Sequence, residues 1–145
     1  MLALTSCQLQ TLNVDTYFVG PETLASYWVG TPDPKKCCPD VGQELVLTWN
    51  MPRCYEPYED LYIRWIIRFG NHEEEIFTIP VLTKRGERSY ALLNQLYWDR
   101  SGIQTYKVEV ISGDTILTTL CNSVWTKIIC IGGEDEESGD VEFVE

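Results

Sequence analysis

Histidine occurs once in these 145 residues, at His72, and 11 basic side chains face 22 acidic ones. So little base leaves no stripe with which to neutralise a phosphate backbone, which excludes a nucleic-acid binder from the reading. His72 sits in the polar stretch GNHEEE (residues 70–75). A Ser-His-Asp or Cys-His nucleophile would have to borrow that one turn residue as its base. No CxxC spacing occurs and no histidine lies beside a cysteine, so zinc-ligand patterning is lacking. Gly132-Gly133 lead into an acidic run and not into a helix, which removes the phosphate-loop pattern. There is no stretch of about 18 apolar residues to cross a bilayer as a helix, and no repeat of fixed period. The consecutive Glu73, Glu74 and Glu75 would point in alternating directions on extended chain, so they read as a solvated turn, not a divalent-ion cage. No catalytic residue, metal site or cofactor is assigned.

What is present suits one compact domain. Apolar residues make up 44% of a chain whose length matches a single hydrophobic core. The formal charge is −11, and the final twelve residues carry −7 of it (Glu134, Asp135, Glu136, Glu137, Asp140, Glu142, Glu145), leaving −4 elsewhere. Residues 132–145 therefore read as an acidic disordered tail, and residues 27–131 as the folded domain. Residues 8–26 show no sustained period and read as a tether, with a short helical turn around Pro21–Ala25.

Along the domain, SYWVG (26–30) reads as a short strand running into a proline-rich loop. ELVLTWN (44–50) is a β-branched and aromatic strand. LYIRWIIRF (61–69) alternates cleanly, with Leu61, Ile63, Trp65, Ile67 and Phe69 on one face and Tyr62, Arg64, Ile66 and Arg68 on the other. IFTIPVL (76–82) is a strand that Pro80 marks as an edge, and KRGER (84–88) a turn. SYALLNQLYW (89–98) fits strand and helix alike. TYKVEV, then SGD, then TILTTL form a hairpin that turns Tyr106, Val108 and Val110 inward and Lys107, Glu109 and Ile111 outward; SVWTKIICI (123–131) continues it or pairs again. Seven or eight short strands separated by turns predict an all-β antiparallel sandwich.

This arrangement resembles the immunoglobulin-like and fibronectin-type-III-like sandwiches of bacterial envelope proteins. Trp49 or Trp65 matches their central aromatic position, and Tyr106, two residues before inward Val108, is similar to a tyrosine corner. Val108 stands where an inter-sheet cysteine would be, so the resemblance is not to antibody domains. A second resemblance lies at the start of the chain. Leu4-Thr5-Ser6-Cys7 resembles the lipobox of bacterial lipoprotein precursors, in which small residues precede a cysteine that accepts a diacylglycerol. It implies lipidation of Cys7 and membrane attachment through a lipid anchor. Gln8 following the cysteine implies transfer to the outer membrane. Only six residues precede Cys7, so the resemblance requires an export signal that starts upstream of Met1; a chance match is the alternative.

Five cysteines remain if Cys7 is lipidated: Cys37, Cys38, Cys54, Cys121 and Cys130. Cys38 and Cys54 flank a strand about 23 Å long at ~3.3 Å per residue. That exceeds the roughly 7 Å between bridged Cα atoms, so Cys130, expected at the same pole, is the better partner for Cys37 or Cys38. Cys38–Cys130 is the candidate disulfide, with buried unreactive thiols as the alternative. Tyr27, Trp28, Tyr55, Tyr58, Tyr97 and Trp98 fall in loop or edge segments and are the candidate interface aromatics. The expected function is a non-enzymatic lipoprotein of the bacterial cell envelope that binds a protein partner. An unlipidated secreted or cytoplasmic adaptor and a carbohydrate-binding module are the alternatives.

Overall fold

The protein is described by a computed structural model over residues 10–126. Seven strands form two antiparallel sheets: β1 (Leu12–Val19), β2 (Gly42–Asn50) and β5 (Arg85–Leu93) in the order β1-β2-β5, and β4 (Glu74–Pro80), β3 (Leu61–Phe69), β6 (Ile103–Ser112) and β7 (Thr115–Cys121) in the order β4-β3-β6-β7. The all-β sandwich expected from the alternating strands is what forms. Its fourth strand lies beside the third, whereas a constant-type immunoglobulin domain places that strand on the other sheet.

The period of two in β3 accounts for the core. Ile63, Trp65, Ile67 and Phe69 are buried on its inner face, with Val108 and Val110 of β6 beside them and Leu45, Leu47 and Trp49 of β2 opposite. The outer face holds a surprise at Glu109. Alternation turns it away from the core, yet it is only 1% exposed, because Arg64 and Lys107 close over it. Burial pushes its carboxyl upward, but hydrogen bonds from Lys107 and Arg64 outweigh this and hold it below the usual carboxylate range.

Several expectations change. The segment read as a tether contains β1, which pairs with β2 from Leu12↔Trp49 to Val19↔Gly42. Only its first residues turn apolar groups inward, since Thr16 and Phe18 are exposed at the sheet edge, so the period is too short to show in sequence. Residues 1–9 and the acidic tail lie outside the described residues. The run SYWVG belongs to helix α1 (Ala25–Val29), closed by Gly30 in the left-handed region (φ 70°), and not to a strand. The anticipated turn at Pro21–Ala25 is a 3-10 turn at Pro21–Thr23. KRGER is mostly strand: β5 begins at Arg85 and pairs along β2. Its glycine serves clearance and not a turn, because a Cβ on Gly86 would stand 2.0 Å from Trp49 Cζ2. The ambiguous SYALLNQLYW is both things, strand to Leu93 and then helix α2 (Asn94–Asp99). Tyr106 makes no corner within its own strand; its hydroxyl donates to Val14 O of β1, 3.5 Å away on the other sheet. Residues 122–125 form a turn, closed by Trp125 N–H donating to Asn122 O at 2.9 Å, and 127–131 lie outside the described residues.

Trp65→Ala is expected to cost about 3–5 kcal/mol in urea unfolding, as for a large core aromatic. Gly86→Ala is expected to cost about 1–3 kcal/mol through the clash with the Trp49 ring. A Gly86→Ala variant as stable as the parent would mean that the indole does not cover that backbone.

Candidate interaction surface

One end of the sandwich gathers the loop Gly20–Val41, the β3–β4 turn, α2 with the residues after it, and the chain leaving β7. Strand register requires this, since Gly42 opposes both Val19 and Leu93 while Arg68 opposes both Glu74 and Thr105. Short polar ties build the two helices there. In α1, Trp28 Nε1 donates to Glu22 O at 2.9 Å, and Ser26 Oγ donates to Asp33 Oδ2 at 2.6 Å. That bond, with another from the Lys35 backbone N–H, holds the Asp33 carboxyl below its usual range. At the first residue of α2, Asn94 adopts φ 55° and uses its side chain as a backbone mimic. Its Oδ1 accepts from Val41 N at 3.1 Å, and its Nδ2 donates to Asp40 Oδ1 at 2.8 Å.

Beneath these helices lies a charged clip between the sheets. Arg100, just past α2, donates to Glu75 Oε2 of β4 at 2.6 Å and stacks 4.4 Å from the Phe69 ring centroid. Tyr90 of β5 donates to the same carboxylate oxygen at 2.9 Å. Burial first, then the hydrogen bond and charge of Glu75, push the Tyr90 hydroxyl up to about 12, against the opposing pull of Arg100. Arg68, paired with Glu74 and covered by Trp125 at 4.3 Å, anchors the chain leaving β7 through a 2.7 Å bond to Thr126 O. The three consecutive glutamates thus meet guanidinium groups, and among the described residues no cluster of three or more His, Cys, Asp or Glu could hold a metal.

The six candidate aromatics divide between the two ends. Tyr27 and Trp28 on α1 and Tyr97 and Trp98 on α2 stand at the end just described, each pair in edge-to-face contact. Trp28 and Trp98 are 73% and 65% exposed, and Tyr97 is half-buried against the core. Tyr55 and Tyr58 lie at the opposite end, in the β2–β3 crossover, where with Met51, Leu61 and Val81 they line a depression of about 200 Å³. Beside it runs a cleft flanked by Arg53, Lys84 and Arg85, all exposed. Sequence reading missed this basic group because Arg53 is far from Lys84 in the chain. It also missed Tyr17 and Phe18, exposed on β1.

Among the described residues Cys37, Cys38, Cys54 and Cys121 are exposed and form no disulfide with one another, which corrects the alternative of buried thiols. Of the Cys38–Cys130 pair, Cys130 lies outside the described residues, as does Cys7. Comparison with family models, curated proteins and solved structures finds no match to this chain.

Raising pH should discharge the Tyr90 clip late. Its folded-state pKa lies above the unfolded value of 10.0, so its stabilising effect is complete below pH 10 and is lost as pH rises toward about 12. Ultraviolet titration should show one tyrosine ionising near pH 12 that is missing in Tyr90→Phe. A parent titration curve with no such late tyrosine would disprove the buried clip.

Proposed function

We propose that this chain is a non-enzymatic interaction module of the bacterial envelope, with a fibronectin-type-III-like sandwich anchored through a lipid on Cys7. The observation that carries this reading is the pairing of exposed Trp28 and Trp98 with two short helices fastened to a stiff scaffold. Tryptophan and tyrosine on a rigid support lose little conformational entropy on contact and contribute disproportionately to protein interfaces. The partner in this reading is a protein.

The position of β1 makes the anchor and the aromatic end mutually consistent. Four residues, 8–11, separate Cys7 from Leu12, so a lipid on Cys7 would hold the domain within about 18 Å of the bilayer, five steps at ~3.5 Å per residue. Thr11 leaves at the end that carries Arg53, Lys84 and Arg85. Those cations would face anionic headgroups, each contributing about 1 kcal/mol near the surface. The nine residues of β2 then place the aromatic end some 30 Å farther out, at ~3.3 Å per residue. That end would be free to meet a partner.

The four exposed thiols favour a second reading, an unlipidated adaptor in a reducing compartment, because an oxidising envelope tends to pair accessible cysteines. One experiment separates the two readings, and a second tests the interface itself. In a bacterial host carrying the full gene, the mature chain should begin at Cys7 and partition into detergent, and Cys7→Ser should release it to the soluble fraction with an unchanged melting temperature. An unmodified Cys7 on a soluble chain would leave the adaptor. Trp28→Ala with Trp98→Ala should cut partner recovery by affinity purification at least tenfold, as expected when anchors costing about 2 kcal/mol or more are removed. Recovery equal to the parent's would remove the aromatic end as the interface.

A further inference from the structure

At the end of the sandwich opposite the helices, two surface features meet in one basin. The depression beside Tyr55 is lined mostly by apolar side chains, of which Tyr58 and Leu82 are exposed, and Glu56 is its one acidic residue. The adjoining cleft, of about 540 Å³, carries Arg53, Lys84 and Arg85 and no acidic residue. Met51, Pro52 and Lys84 line both, so the apolar floor and the basic rim are continuous.

The rim's charge is unanswered. Arg64, Arg68, Arg100 and Lys107 each form an ion pair, whereas Arg53, Lys84 and Arg85 form none among the described residues. Neighbouring cations repel one another, and an anion between them removes that cost. The chain carries a segment of matching chemistry. Residues 140–145, DVEFVE, set Val141, Phe143 and Val144 among Asp140, Glu142 and Glu145. Four more carboxylates precede them at 134–137.

Reach is sufficient. Thr126, the last described residue, is tied to Arg68. Leu61, in the wall of the depression, lies seven residues from Arg68 along β3, about 23 Å at ~3.3 Å per residue. Phe143 is seventeen residues beyond Thr126, a span of up to about 60 Å at ~3.5 Å per residue.

From this match of charge, apolar surface and length we infer that residues 140–145 dock on the basin of their own chain. Phe143 enters the depression, and the carboxylates flanking it engage Arg53, Lys84 and Arg85. The ring fits a depression of about 200 Å³, since an apolar cavity of about 150 Å³ holds benzene. Attachment to the same chain supplies an effective concentration on the order of millimolar, so a weak contact suffices. The docking does not depend on lipidation. In a lipidated chain it would compete with anionic headgroups for the same three cations.

The test uses the full chain labelled with nitrogen-15 and carbon-13. Nuclear Overhauser contacts should join the Phe143 ring to the Leu82 methyls and the Tyr58 ring. Combining Asp140→Asn, Glu142→Gln and Glu145→Gln should abolish those contacts and shift the amide resonances of Arg53, Lys84 and Arg85. Resonances of β3 and β6 should stay in place, because the substitutions lie outside the sandwich. Arg53→Gln with Lys84→Gln, at two exposed positions, should abolish the same contacts. Absence of the contacts in the parent chain would overturn the proposal, as would their survival in either set of variants. So would contacts that fade on dilution, which would assign the docked segment to a second copy of the chain.

Discussion

Burial of one face of β3 against β2 is the constraint on which the remainder of this molecule rests. Ile63, Trp65, Ile67 and Phe69 leave water together, and they do so only if Leu45, Leu47 and Trp49 approach from the opposite sheet. At about 25 cal/mol per Å² of apolar surface, this shared burial is the main favourable term available to so small a domain. Its geometry then dictates details elsewhere. The Trp49 ring lies flat enough on β5 to require glycine at position 86, and its Nε1 reaches Thr83 O at 3.3 Å, tying the turn before β5 to the core.

Charge in this acidic protein is placed where packing needs it. Glu109 is buried yet ionised because Arg64 and Lys107 lie over it, so the outer face of the larger sheet carries a closed polar lid. At the aromatic end, Glu74 and Glu75 fasten Arg68 and Arg100, and Tyr90 carries the connection to the second sheet. Such a network contributes less to net stability than its bond count suggests, since each buried charge first loses its water. Its clearer effect is positional. It holds the residues after α2, and with them Trp98, in one orientation.

The two ends of the sandwich therefore differ in kind. One presents tryptophans on helices too short to persist alone, each held by side-chain bonds to loop backbone. The other combines a basic cleft with the point at which the chain enters β1. Under the proposed function this polarity separates membrane from partner. The open β4–β5 flank between the ends is a third surface, lined by Phe77, Ile79, Arg88 and Tyr90.

The strand content of this protein was legible in sequence because it depends on local alternation. In LYIRWIIRF and TYKVEV the alternation turned Ile63, Trp65, Ile67, Phe69, Val108 and Val110 inward, and these are buried in the fold. Ile111, expected outward, is buried after a register shift beside Val110, and Arg68, also expected outward, is buried beneath Trp125. Pro80 likewise placed β4 at a sheet edge, since a residue without an N–H has no use in a central ladder. What lay beyond sequence was whatever depends on distant partners. β1 has too few inward apolar groups to declare itself and exists through its ladder with β2. Gly86 looked like a turn residue until an indole from another strand occupied its face. Six aromatics that looked equivalent were divided between two ends by strand direction alone. Glu109 was correctly turned outward by its period, but only Arg64, from a strand 45 residues away, and Lys107 decided that it would be buried. Alternation assigns a side chain to a face; tertiary packing decides what covers it.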